Sequence, residues 1–223
     1  MPSLALVMVV LTMCAIGTQG FKLQSRMRSF ALRSSVVDDK VEVEKYFNGE
    51  GFSRWNKIYS ESDEVNKVQL DIRNGHQQTI DKVLLWMGGE DNKRKTVCDA
   101  GCGTGSLALP MSSLYKKVFA SDISAAMTKE AAARAKASGI KNVDFKVSDM
   151  EKLNGKYNTV TCIDVMIHYP TDAMYGIVAH LGGMATDRLI LSFAVSNAPE
   201  ERERDESKCP TWRLAPLTFY SSS

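Results

Sequence analysis

Asp99-Ala-Gly101-Cys-Gly103-Thr-Gly105 is the stretch on which the fold turns. It follows a short β-branched run, Lys95 to Asp99, and leads into Ser106 to Leu114, which reads as a helix. Glycines let such a turn adopt positive φ and let a ligand approach the backbone closely. The helix behind the turn offers unpaired N–H groups at its start. A dinucleotide fingerprint requires Gly-x-Gly-x-x-Gly. Here the third glycine comes one residue early, and Ser106 stands where the dinucleotide pattern needs glycine. The acid Asp99 ahead of the first glycine also suits a pyrophosphate badly.

Outward from this loop, short apolar runs alternate with helical stretches. Strands are predicted at Val118 to Asp122, Val143 to Val147, Tyr157 to Val165 and Arg188 to Ala194. Helices are predicted at Ser124 to Ala137 and Asp172 to Gly182. The alternation predicts an α/β fold, a mostly parallel sheet with helices on both faces. Ligands of such sheets lie off the carboxyl ends of the strands. Four acids are predicted there in order. Asp99 precedes the glycines, and Asp122, with Ile123 beside it, falls 17 residues after Gly105. Asp149-Met150 follows the third strand, and Asp164 closes the fourth. Asp122 can accept both hydroxyls of a ribose and argues against a 2′-phosphate. Asp149 can take an adenine amino group. Asp99 suits a ligand with an ammonium group, as the methionine end of S-adenosylmethionine has. The expected cofactor is therefore S-adenosylmethionine, held by Asp99, Gly101, Gly103, Gly105, Asp122, Ile123, Asp149, Met150 and Asp164.

Before the sheet, Val36 to Phe47 is charged and helical at its end. Phe52, Trp55 and Tyr59 share one helical face. Val65 to Met87 reads as a longer helix, interrupted near Asn74-Gly75, with a stripe of Ile80, Val83, Leu84 and Met87 that ends at Gly88-Gly89. Residues 3 to 17 are apolar and uncharged, short of the about 20 residues a membrane-spanning helix needs but suited to a signal-peptide core. Phe21 to Ser35 adds four basic residues, four serines and no acid, which is transit-peptide composition. Together they resemble the bipartite leader of algae whose plastid came from a eukaryotic endosymbiont, which predicts a plastid destination and no transmembrane segment in the mature chain. The expected organisation is a leader over 1–35, a helical arm over 36–88, a cofactor-binding domain over 89–194 and a divergent tail over 195–223.

The 223 residues are 44% hydrophobic and 24% charged, the balance of a globular protein. The net charge is +2. Lys22, Arg26, Arg28 and Arg33 all lie in the leader, so the remainder sums to −2. A slightly acidic body does not suit a phosphate backbone, so no nucleic-acid partner is expected. Cys98 and Cys102 lack a second Cys or His pair at zinc spacing and are expected to be small buried residues; no protein metal site is expected.

Several stretches resemble the magnesium-protoporphyrin IX O-methyltransferases of chlorophyll synthesis. They are Tyr46-Phe-Asn-Gly-Glu-Gly-Phe-Ser-Arg-Trp55, Val65-Asn-Lys-Val-Gln-Leu-Asp-Ile-Arg-Asn-Gly-His-Gln-Gln-Thr79, the glycine loop, Ala120-Ser-Asp-Ile-Ser-Ala-Ala-Met127, Ile167-His-Tyr-Pro170 and Leu189-Ile-Leu-Ser-Phe193. The glycine loop is shared by many methyltransferases; the Tyr46 to Thr79 block and the Ile-His-Tyr-Pro step are more selective. The resemblance implies a Rossmann-like methyltransferase that esterifies one propionate of magnesium protoporphyrin IX. It implies functional roles for Tyr46 and His168, and the large subunit of magnesium chelatase as a partner.

The chemistry fits a carboxylate acceptor. A propionate is already ionised at pH 7, so it needs no strong general base. His168 is then expected to orient the acceptor rather than deprotonate it. His76 and His180 lie within helical stretches and receive no role. The family pattern stops at Ala194, where five strands have been read, and the closing strands of the family sheet are expected to be missing. An incomplete gene model or a truncated paralogue would produce such an end. Two other readings stay open: a methyltransferase acting on a different small molecule, and a non-catalytic partner of magnesium chelatase. A nicotinamide dehydrogenase fits the glycine spacing worst.

Overall fold

The computed structural model describes residues 6–12, 36–60, 65–169 and 171–194. Its strands are β1 (Leu6–Thr12), β2 (Thr96–Ala100), β3 (Lys117–Asp122), β4 (Val143–Val147), β5 (Tyr157–Cys162) and β6 (Ala185–Ala194). The helices are α1 (Val36–Asn48), α2 (Glu50–Ile58), α3 (Lys67–Gly88), α4 (Ala108–Met111), α5 (Ala125–Ala137) and α6 (Thr171–Met184). The strands form one sheet in the order β1-β6-β5-β2-β3-β4. Every neighbouring pair is parallel. From β2 the chain winds outward through β3 and β4, then returns to the other side of β2 for β5 and β6. The carboxyl ends of β2 and β5 therefore flank the switch in winding direction, where such sheets open a crevice.

The alternation of side chains along each strand supplies both faces of the sheet. On one face Val97, Val118, Ala120 and Ile190 pack against Ile80, Val83 and Met87 of α3. On the other, Cys98, Val160, Cys162, Leu189 and Leu191 meet Ile177, Leu181 and Met184 of α6. The α/β fold expected from the sequence is the one observed, and its five body strands lie at the expected places. Cys98, Cys102 and Cys162 are buried free thiols.

Four boundaries differ from the sequence reading. Helix α3 is continuous through Asn74-Gly75. The Thr79 hydroxyl donates to the Gly75 carbonyl at 3.0 Å, and Arg73 Nε donates to the Ile58 carbonyl at 2.6 Å, so the turn is pinned from both sides. Its start is a capping box between Asn66 and Gln69. The helix after the glycine loop is short, because Pro110 lacks an N–H and the chain tightens into i→i+3 turns at Ser112, Ser113 and Leu114. Strand β5 ends at Cys162, since Asp164 takes φ 59°, a left-handed conformation no strand can continue through.

The fourth difference concerns the amino-terminal region. Leu6–Thr12, inside the apolar stretch read as a leader core, forms β1 and pairs in parallel with Arg188–Ala194 of β6. The edge of β6 is thereby covered within this chain. Among the described residues no helix is long and apolar enough to cross a membrane. The 195–223 tail lies outside the described residues.

Candidate functional site

The site is built around the turn after β2. Gly101, Gly103 and Gly105 all adopt positive φ, at 80°, 52° and 88°. The loop folds over the end of β3: the Gly101 and Cys102 N–H groups both donate to the Ser121 carbonyl, at 2.8 and 2.9 Å. A Cβ on Gly101 would stand 2.3 Å from Val165 Cγ2, so only glycine lets this turn pass the segment after β5.

Asp122 ties the loop to α5. Its Oδ2 accepts from the Gly103 N–H and its Oδ1 from the Ser124 N–H, both at 2.9 Å. Burial lifts its carboxyl above the ordinary range although the Ser124, Gly103 and Ile123 N–H groups favour the ionised form. Asp99 is 2% exposed and lies beneath the loop, where its Oδ1 accepts from the Thr161 hydroxyl at 2.7 Å. Burial pushes its carboxyl up to about 6. Asp149 caps the single turn Met150–Lys152, with its Oδ1 accepting the Glu151 N–H at 3.1 Å. The Met150 side chain packs into the sheet core beside Leu153 and Met166. Asp99 and Asp122 thus stand at the carboxyl ends of β2 and β3, and Asp149 follows β4.

Asp164, after β5, is the hub of a network that sequence reasoning missed. Its Oδ1 accepts from the Ser192 hydroxyl at 2.8 Å, and the Ser192 oxygen in turn accepts the Asp164 N–H at 2.5 Å. Its Oδ2 lies 2.7 Å from Nδ1 of His76. Burial alone would raise this carboxyl, but the His76 and Ser192 hydrogen bonds and the charges of His76 and His168 bring it below the ordinary value. The signal for His76 was in the sequence. It falls four and seven residues before Ile80 and Val83, on the buried stripe of α3, where a polar side chain needs a partner. His180, the other unassigned histidine, places Nε2 3.0 Å from the Leu153 carbonyl.

The helical arm lies over this network. Tyr59 stacks on the His76 ring, with centroids 4.2 Å apart, and Trp55 lies 5.4 Å from Tyr59. Phe47 meets the His168 ring edge-on at 5.0 Å and Tyr46 at 5.1 Å. The two residues implied by the family resemblance, Tyr46 and His168, are therefore brought together through Phe47. Burial pushes His168 down to about 4 against the opposing pull of Asp164, so its ring is neutral at pH 7. The arm is fastened to α5: the Ser124 hydroxyl lies 2.9 Å from the Phe47 carbonyl and 3.0 Å from Asn48 Oδ1, which also accepts the Ala126 N–H at 3.1 Å.

Among the described residues, four buried side-chain polar atoms have no protein partner: Trp55 Nε1, His76 Nε2, Thr104 Oγ1 and Ser121 Oγ. Thr104 is in the glycine loop, Ser121 precedes Asp122, and Trp55 and His76 are joined through Tyr59. Orphaned groups of this kind are rare in folded proteins, and their gathering here fits a polar ligand. No group of three or more described His, Cys, Asp or Glu residues is placed to hold a metal ion.

A parallel sheet wound about a glycine loop, with an acid at the carboxyl end of each of β2 to β5, defines a Rossmann-like methyltransferase. Residues 97–183 match the methyltransferase domain family. The chain is 52% identical over 160 residues to magnesium protoporphyrin IX methyltransferase of Arabidopsis thaliana, named as chloroplastic, covering 70% of this chain and 51% of the relative. It is 46% identical over 167 residues to magnesium-protoporphyrin O-methyltransferase of Synechocystis, covering 73% of this chain and 72% of that one. The crystal structure of the Synechocystis magnesium protoporphyrin IX methyltransferase with bound S-adenosylmethionine superposes with a TM-score of 0.69 at 44% identity, over 77% of this chain and 83% of that one. The chain belongs to the magnesium-protoporphyrin IX methyltransferase family. It spans about half the length of its plant relative.

Proposed function

We propose that this chain binds S-adenosylmethionine at the glycine loop and transfers its methyl group to a propionate carboxylate of magnesium protoporphyrin IX. The observation that carries the cofactor is the glycine loop after β2, with the orphaned Thr104 Oγ1 in it and acids in order at the carboxyl ends of β2 to β5. Family membership carries the acceptor. When bound, the cofactor supplies an electrophilic methyl group on a sulfonium. Gly101, Gly103 and Gly105 would let its amino-acid end lie against the backbone. Asp122 and Ile123 would hold the ribose. Asp149 and the Met150 backbone would face the adenine.

The remaining residues serve the acceptor. A propionate is an anion at pH 7, and its charge and that of the sulfonium both diminish in the transition state. Excluding water therefore favours reaction, and the aromatic arm of Tyr46, Phe47, Trp55 and Tyr59 is placed to do so. Holding donor and acceptor in line is worth roughly 7–11 kcal/mol. His168, held neutral, can orient the carboxylate without pairing a full charge against the nucleophile.

We further infer a plastid destination directed by residues 1–35, supported by their composition and by the chloroplastic plant relative. The substrate's source, magnesium chelatase, is the expected partner. The test is methyl transfer from labelled S-adenosylmethionine to magnesium protoporphyrin IX, with cofactor binding measured on the same sample. Ester formation lost in His168→Ala and reduced in Tyr46→Phe supports the proposal. Binding without turnover on this acceptor overturns the assignment of substrate.

A further inference from the structure

Strand β4 ends the sheet on the side away from β1, and among the described residues nothing pairs with its outer edge. The Val118 N–H donates to the Asn142 carbonyl and the Ser148 N–H to the Asp122 carbonyl, both at 2.9 Å. With Val118 in register with Val143 and Asp122 with Val147, the even-numbered residues of β4 turn their backbone groups toward β3. The N–H and C=O groups of Val143, Phe145 and Val147 therefore face outward. An open edge of this kind is a template for another strand.

The two faces of this edge differ. Val143 and Phe145 pack against the core beneath α3, and Val147 falls on the same face by alternation, where it is 51% exposed. Beside Val143 and Phe145 lies an open apolar crevice of about 300 Å³, walled by Ala132, Ala135 and Ile140. The other face carries the exposed Asp144 and Lys146. Asp144 Oδ1 accepts from Lys117 Nζ of β3 at 2.6 Å, and a carboxylate can take further donors through its second oxygen. A lysine on an edge strand ordinarily repels a like strand. Here the acid two residues before it reverses that effect. Antiparallel pairing of β4 with itself about Phe145 sets Asp144 opposite Lys146 and Val143 opposite Val147. The outward-facing residues then all fall in hydrogen-bonded pairs, and no other centre in the strand pairs all three with one another. Each acid–lysine pair falls at a non-hydrogen-bonded position, where facing side chains lie closer. Each exposed Val147 comes beside Val143 of the other copy, at the mouth of its crevice.

We propose that a second copy of this chain docks on the outer edge of β4, joining the two sheets through an antiparallel β4–β4 pairing with its twofold axis at Phe145. The interface is isologous, because the strand is complementary to itself in charge and in shape. The carboxyl ends of the two sheets point in opposite directions, so neither glycine loop is covered. The inference stands apart from the cofactor reading.

The test is sedimentation equilibrium of the full chain, in which the β6 edge is covered, with two charge reversals beside it. The wild type should reach twice the mass of one chain as its concentration rises. Asp144→Lys sets lysine against lysine across the axis, and Lys146→Asp sets acid against acid. Each variant alone should raise the dissociation constant at least about tenfold, since like charges directly opposite destabilise a strand pair. An equimolar mixture of the two variants restores every opposite-charge pair and should return to the doubled mass. Both substitutions lie on the exposed face, and far-ultraviolet circular dichroism checks that each variant is folded. A second measurement needs no substitution: amide exchange at Val143, Phe145 and Val147 in the wild type should slow as concentration rises. A wild type that keeps the mass of one chain at every concentration overturns the inference. So does a dimer that neither reversal weakens, a mixture of folded variants that stays at the single-chain mass, or exchange at those amides that does not change with concentration.

Discussion

Gly101 and Gly103 have similar backbone conformations and different surroundings. An alanine at either position is strained by its positive φ, at about 1–2 kcal/mol. At Gly101 the added Cβ would also collide with Val165, whereas at Gly103 nothing lies within 4 Å of it. Gly101→Ala should therefore lower the melting temperature well beyond Gly103→Ala and weaken S-adenosylhomocysteine binding at least tenfold; equal melting temperatures would refute the clash. His168 gives a pH prediction. Its folded value near 4 lies below the ordinary 6.5, so the unfolded chain binds the proton more readily. Its contribution to stability is present above about pH 6.5 and is lost as pH falls toward 4. Urea midpoints from pH 4 to 7 should show this slope, and His168→Phe should flatten it. Methyl transfer should show no inflection near pH 6.5 that disappears on that substitution.

Among the elements, the link between α1 and α5 decides where the aromatic arm sits. Asn48 and Ser124 join the two helices, and Arg134 of α5 reaches Asn56 of α2 at 2.6 Å. Asn48→Ala removes one acceptor at a helix start and should cost about 1 kcal/mol of stability. If the arm closes the site, methyl transfer should fall by far more than cofactor binding does, as the KM for the porphyrin rises. A parallel fall in both would place Asn48 in the fold alone. The elements also show where sequence periodicity ran short. Asn74-Gly75 looked like a break in α3 because local propensity disfavours helix there; side-chain bonds from Thr79 and Arg73 override it. Pro110 and the left-handed Asp164 shortened two elements by local geometry that a hydropathy pattern does not carry.

At the scale of the whole molecule, the sheet edge beside β6 is taken by Leu6–Thr12. The same residues have the composition of a leader core, and a cleaved leader would carry β1 away with it. A chain beginning at residue 36 should then melt at a lower temperature and associate beyond the full chain's own state, because an unpaired strand edge recruits other chains. Light scattering and thermal unfolding of the two chains side by side test this. A shorter chain unchanged in both would mean that β1 contributes nothing to the body of the fold.

The parallel α/β architecture, the glycine loop and the four strand-end acids were legible because each rests on local chemistry. Short apolar, β-branched runs mark strands, and a glycine turn between a strand and a helix has few alternatives. The resemblance of the Tyr46 to Thr79 block pointed to the family. What the linear pattern could not hold was the pairing of distant groups. His76 and Asp164 are 88 residues apart, and Asp164 and Ser192 are 28 apart. His76 read as one more helical residue until packing set it beside Asp164. A side chain's type follows from the sequence; its partner, its protonation and its access to a ligand are set only when the chain folds those distant segments together.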